Sequence, residues 1–233
     1  MWVARGLVIG ALCLLSTAAA PPRPAEAATV RGVVIYNGPV EPKRLPVTID
    51  QYVCGRDKLA EDLVVNPQQR GVKNAVVWLQ TPPAGAAWPA APVKVEMDQK
   101  GCVFVPHVVV VPVGGTVEFL NSDRLLHNLH SASRENASFN RTQPRGRAIP
   151  IVFSKPEIVR INCDLHSWMR AWVVVAEHPF YAVTNDAGEF ELPPMPPGKY
   201  TLQIWQETLG VSTREVTVGA DDARVTVELK APR

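Results

Sequence analysis

The sequence predicts an all-β protein built of β-sandwiches, and three observations carry that expectation. Apolar and polar residues alternate with a period of two through several short runs. Twenty-two prolines and 15 glycines punctuate those runs, and no long amphipathic helical pattern occurs anywhere. The reading implies short strands joined by turns.

Taken in order, the first strand signals are GVVIY at 32–36 and NAVVWL at 74–79. Between them, only GRDKLAEDLVV at 55–65 has room for a helical turn. TVEF pairs Val117 with Phe119 on one face, and the strand ends at Asn121. EIVRINC places Val159, Ile161 and Cys163 on one face, opposite Arg160 and Asn162. Further on, KYTLQIWQ sets Tyr200, Leu202 and Ile204 against Thr201, Gln203 and Trp205, and ARVTVEL aligns Val225, Val227 and Leu229.

The first residues predict export. A short positive stretch at 1–5 precedes an apolar run at 6–15, too short to span a bilayer, and Ala25-Glu26-Ala27 offers a cleavage site. Pro21 disfavours an earlier cut after Ala20. Cys13 has no leucine three residues before it, which argues against a lipoprotein box. With 1–27 read as a signal peptide, residues 28–233 suffice for one large domain or two modest ones, and no later stretch reads as a membrane span. A net charge of +2 without any basic run argues against nucleic acid as a partner.

Removing the signal leaves Cys54, Cys102 and Cys163. In an oxidising compartment the simplest reading is one disulfide, Cys54–Cys102, plus one specialised thiol. Two free thiols, or a second metal site that includes His107, remain the alternatives. The specialised cysteine is nominated by INCDLHSWMRAW at 161–172, where Cys163, His166 and Met169 recur at fixed intervals on the loop after a strand. His127 follows the upstream strand by six residues. Two imidazoles, a thiolate and a thioether make the ligand set of a type 1 copper site.

Residues 93–177 resemble the cupredoxins, the family of plastocyanin, azurin and amicyanin. The matching pieces are F-x-P at 104–106, G-G-T-V-E-F-x-N at 114–121, H-N at 127–128 and C-x-x-H-x-x-M at 163–169. The last spacing is that of short-loop, amicyanin-like members. The resemblance implies a Greek-key β-sandwich and one type 1 copper ion held by His127, Cys163, His166 and Met169. It implies that the Asn128 side chain bridges the two ligand loops. Many short loops of the family carry proline before the second histidine, whereas this chain has Leu165. Its retained N–H offers the Cys163 sulfur a second hydrogen bond, which would lower the potential. His130, an odd number of positions from His127, is expected on the opposite strand face, and His107 and His178 are expected to be structural. Three histidines beyond the ligand set, with no H-x-H pair, are too few for a multicopper oxidase cluster.

The flanks carry a second resemblance. T-x-D-x-G-x-F-x-L at 184–192 and P-P-G-K-Y-T-L at 196–202 resemble the second half of a carboxypeptidase-regulatory-like, or transthyretin-like, sandwich. Its first half matches 32–36 and 74–79. The expected organisation is therefore an N-terminal β segment at 28–92, a copper domain at 93–177 and a regulatory-like domain at 178–233. Either one sandwich is split around the copper domain, or two small domains follow a loose N-terminal segment.

For function, the resemblance implies a periplasmic or secreted electron carrier rather than an enzyme, since no catalytic constellation accompanies the four ligands. Copper storage or delivery by a partner-binding sandwich is the alternative. Between Arg124 and Arg170 there are eight basic residues against three acidic ones: either these are solvated loop charges on different faces, or they cluster at the copper's edge and an acidic face is expected on the protein electron donor or acceptor, such as a c-type cytochrome or a periplasmic oxidoreductase.

Overall fold

The computed structural model describes residues 27–88 and 93–232, and the signal-peptide expectation falls on residues outside them, apart from Ala27. Nearly every regular element is a strand. Toward the N-terminus lie β1 (Val30–Ile35), β2 (Arg44–Pro46), the four-residue helix α1 (Gln51–Cys54), β3 (Asp57–Leu59) and β4 (Val76–Leu79). The middle holds β5 (Lys94–Gln99), β6 (Phe104–Val105), β7 (Val108–Pro112), β8 (Thr116–Asn121) and β9 (His127–Ala132). It continues with β10 (Asn140–Gln143), β11 (Ile149–Val152), β12 (Glu157–Asn162) and β13 (Arg170–Ala176). Then follow β14 (Tyr181–Val183), β15 (Glu189–Glu191), β16 (Gly198–Gln206), β17 (Gly210–Val218) and β18 (Ala223–Glu228).

The middle strands form two facing sheets, ordered β10-β9-β12-β13-β7 and β11-β8-β5-β6. Alternation explains the core between them. Val117 and Phe119 from β8, Leu129 from β9 and Val159 and Ile161 from β12 are all fully buried, with Met97 and Val173 beside them. Burying an aliphatic or aromatic side chain of this size is worth roughly 1.5–3 kcal/mol each, so this layer dominates the stability of the sandwich.

The outer strands form a second pair of sheets, β15-β1-β18 and β14-β4-β16-β17. β1 pairs with β15 and β18, and β4 pairs with β14 and β16, so strands from before residue 93 and after residue 177 share both sheets. Their common core contains Val30, Val34, Val77, Leu79, Phe190, Leu202, Ile204 and Val227. Gly32 sits at the tightest point of this packing: a Cβ there would lie 2.4 Å from the Val225 carbonyl oxygen and 2.6 Å from the Phe190 ring.

One expectation is corrected. Among the described residues the helical turn occupies Gln51–Cys54, just before the 55–65 stretch, where Asp57–Leu59 is instead a strand paired with β2. The Thr201, Gln203 and Trp205 face of β16 is also partly closed off from solvent. Trp205 is buried with Val76 against Val108, Val110 and Val174, and its ring lies 5.1 Å from that of Trp172. The two sandwiches therefore stack sheet on sheet, and a period of two alone cannot tell such a covered face from a wet one.

A third region, 37–72, crosses between them as the β2–β3 ribbon and α1. It is fastened to the middle sandwich by the expected disulfide, Cys54–Cys102, which leaves Cys163 as the free cysteine among the described residues.

Candidate metal centre

β12 delivers Cys163 to the inner face, and the loop that follows is closed by its own backbone. His166 N–H donates to the Cys163 carbonyl (3.3 Å), Met169 N–H to the His166 carbonyl (2.8 Å) and Cys163 N–H to the Met169 carbonyl (3.3 Å). The three-residue spacings of C-x-x-H-x-x-M thus coincide with turns that bring each of these residues back over the last. Met169 is buried in the same apolar cluster as Cys163. His127 opens β9 and reaches the same place from the neighbouring strand, fully buried.

The donor atoms converge. The Nδ1 atoms of His127 and His166 are 2.9 Å apart, and the Cys163 Sγ lies 3.8 Å from the first and 3.5 Å from the second. An ion about 2.0–2.1 Å from each nitrogen and about 2.3 Å from the sulfur spans sulfur–nitrogen separations of this size at near-trigonal angles. Both outer ring nitrogens are occupied by carboxylates: His127 Nε2 bonds Asp123 at 2.9 Å and His166 Nε2 bonds Asp50 at 3.0 Å. Carboxylates accept, so each Nε2 carries the proton and each Nδ1 turns a lone pair inward. Two lone pairs and a sulfur facing one another in a buried space suit a soft or borderline cation. A second constellation, Cys102, Asp123 and His127, has its cysteine spent in the disulfide.

Electrostatics agree with this reading. Burial pushes the His127 imidazole below its ordinary value, opposed by the Asp123 hydrogen bond, so the ring favours its neutral, ligand-ready form. Burial pushes the Cys163 thiol up, opposed by the backbone N–H groups of Asn128, Leu165 and His166. Asn128 N–H lies 3.4 Å from the sulfur.

Asn128 joins the two loops: its side-chain oxygen accepts the Asp164 N–H at 2.5 Å, and its amide donates to Asn140 at 2.6 Å. His130 is exposed and bonds the Asp164 carboxylate (2.9 Å), turned away from the cluster. His178 bonds the Leu79 carbonyl, and His107 is buried against Glu207. Trp168 is buried, and Trp172 is partly buried against Trp205. Trp168 bonds the Cys102 carbonyl through Nε1 (3.0 Å) and lies 5.1 Å from the His166 ring. Asp123 and Asp50 are not among the residues the sequence motifs single out. Asp123 stands four residues before His127, the nearest thing to a local signal; Asp50 is 116 residues from His166, and no local pattern points to it.

Compared with known proteins, residues 144–226 match the family described as polysaccharide lyase family 4, domain II. No curated protein matches. Among solved structures, the chain is similar to a Cu-containing nitrite reductase from Thermus scotoductus at 28% identity, covering 42% of this chain and 25% of that one, with a TM-score of 0.35. The chain thus spans a quarter of the length of that reductase. A purple cupredoxin from Nitrosopumilus maritimus is 22% identical over 35% of this chain and 99% of its own, with a TM-score of 0.32. An oxidised proline-to-alanine variant of amicyanin is 24% identical over 44% and 99%, with a TM-score of 0.34.

Proposed function

We propose that this chain is an exported type 1 copper protein that passes single electrons between protein partners. The observation that carries the reading is the buried convergence of Cys163 Sγ with the Nδ1 atoms of His127 and His166, each imidazole held from behind by a carboxylate. In this reading Met169 supplies a weak axial thioether, and one copper ion binds per chain. The bound ion supplies a one-electron couple. The protein's part is to fix the donors in one geometry: Asn128 locks the loops together, the closed backbone turn sets the intervals between Cys163, His166 and Met169, and the buried core keeps water from the sulfur. A site that hardly moves between oxidation states exchanges electrons with little reorganisation. Because the Cys163 sulfur and both imidazoles are taken up as metal ligands in this reading, it assigns electron transfer and not catalysis.

The outer sandwich is assigned, on the 184–192 and 196–202 motifs, to the carboxypeptidase-regulatory-like class, split around the copper-binding sandwich as the strand pairing supports. Periplasmic or secreted placement rests on the N-terminal sequence and the disulfide. No helix among the described residues is long and apolar enough to cross a membrane.

The test is to load the mature protein with copper and look for the intense visible thiolate-to-copper band. Cys163→Ser should abolish it, whereas Met169→Leu should keep it and raise the potential. A Cys163→Ser protein that stays blue would sink the assignment.

A further inference from the structure

The carboxylates behind the two imidazoles come from different places. Asp123 belongs to the same sandwich as His127. It is buried and also accepts the N–H groups of Gly101 (2.6 Å) and Cys102 (2.8 Å). Asp50 comes from the 37–72 crossing, and its side chain is half exposed even as it caps the fully buried His166. Each stands next to one end of the same disulfide. The Asp50 carbonyl accepts the Val53 and Cys54 N–H groups, so Cys54 closes the turn that Asp50 begins. Cys102 donates to Asp123 and accepts from Trp168, whose ring lies beside His166.

We propose that the Cys54–Cys102 disulfide is a working part of the metal centre. It ties Asp50 to Asp123, and through Asp50, a positioning residue, it holds His166 with Nδ1 turned toward Cys163. The inference deepens the copper reading and rests on it for its electrochemical readout. A carboxylate on Nε2–H fixes the tautomer and raises the basicity of the ring, and a more basic ligand favours the oxidised, more highly charged ion. The two supports differ in strength. Asp123 is held by two backbone donors of its own sandwich, the Gly101 and Cys102 N–H groups, and neither bond uses the Cys102 sulfur. Asp50 is kept over His166 by the β2–β3 ribbon, the inward-packed Leu45 and Val47, and Cys54. Cutting the disulfide should therefore release His166 before His127.

The experiment compares the full chain with Asp50→Ala, Asp50→Glu, the double variant Cys54→Ala/Cys102→Ala, and Asp57→Ala. Asp57 is in the same crossing, but its exposed side chain bonds Arg44 and neither imidazole, and it serves as the control. In the metal-free protein, nitrogen-15 NMR should show the His166 Nε2 proton protected from exchange in the parent and in Asp57→Ala. Protection should be lost in Asp50→Ala and in the disulfide variant. In the copper-loaded proteins, Asp50→Ala and the disulfide variant should lose copper at least about tenfold faster and show a raised potential, and Asp50→Glu should restore both. A disulfide variant that is merely less stable, with His166 still protected and copper loss within twofold of the parent, would overturn the inference. Should the chain take up no copper, the exchange measurement still decides whether the disulfide holds His166, so the two readings fail separately.

Discussion

The two sandwiches bury different kinds of residue. In the outer one the buried polar side chains serve their own backbone: Thr184 bonds the Val72 carbonyl and the Ala75 N–H, and Gln206 closes a turn at Thr208 and Leu209. In the middle one they form a connected network at the end that carries the candidate ligands. Gln99 donates to Gln143 (2.6 Å), Gln143 to the Phe119 carbonyl (2.8 Å), and Asn121 to the carbonyls of Gln143 and Leu125. Burying polar groups is costly unless each finds a partner, so a network gathered at one end of a sandwich marks loops that must hold one shape. The loop leading from Asn121 to His127 is held this way. Core composition identifies both folds, and the placement of buried polarity separates the site-bearing one from the other.

The largest expected effect tests that separation. Leu202 and Leu129 are both fully exposed to nothing but protein, one in each core. Replacing either by alanine should cost roughly 2–5 kcal/mol. In copper-loaded protein, Leu129→Ala should also shift the visible band, because Leu129 adjoins Asn128, while Leu202→Ala should leave it in place. Chemical denaturation with absorption spectra on the same samples reads both. A band that moves equally in the two variants would show that the sandwiches are not separable in function.

A smaller effect concerns charge. Burial would raise the Glu157 carboxyl, but the Ser133 hydroxyl, the Arg134 and Asn136 N–H groups and the Asn136 amide together bring it down to about 2. Its folded value therefore lies below the ordinary 4.5, and the unfolded chain binds more protons between them. The stability it contributes is present above about pH 4.5 and is lost as pH falls toward 2. Glu157→Gln should lower stability at neutral pH by about 1–2 kcal/mol, discounted for partial solvent exposure, and flatten that acid limb. Glu191 in the outer sandwich shares an exposed ion pair with Arg31, and Glu191→Gln should leave the denaturation curve unchanged. Equal losses from the two variants would undo the contrast.

The strands were legible because their inward faces alternate cleanly, as at Val117 and Phe119 or Val159, Ile161 and Cys163. The candidate ligands were legible because three of them lie within one short loop whose spacing is itself the geometry. What stayed hidden depends on contacts between distant segments. That the second sandwich covers Trp205 cannot be read from alternation, and nothing near Asp50 in the sequence points to His166, 116 residues away. The helical turn was missed by a few residues because four residues at Gln51–Cys54 are too few to set a period.

The smallest expected effect is on encounter with a redox partner, and the fold sharpens which charges matter. β9 runs from His127 to Ala132, about 17 Å at the usual rise of a strand, so Arg134 beyond its end lies far from the candidate ligands. Lys155 is at that far end too, where it approaches Glu135 at 3.9 Å. The ligand end keeps Arg124 and Arg170, which adjoin the two ligand loops, and Arg145 and Arg147 on a turn whose Gly146 N–H bonds the Asn121 carbonyl. Asp164, the acidic residue of the second ligand loop, is engaged with His130 and Asn140. The segment's positive charge is thus divided between two ends, and only part of it can steer a partner toward the proposed metal site. Electron transfer with an acidic c-type cytochrome should slow as salt rises, but by less than the whole segment's charge would give, because screening acts over about 8 Å at physiological ionic strength. Stopped-flow rates across a salt series measure it. Arg124→Gln should flatten the salt dependence and Arg134→Gln should not; a faster reaction with a basic cytochrome at low salt would show that partners dock elsewhere.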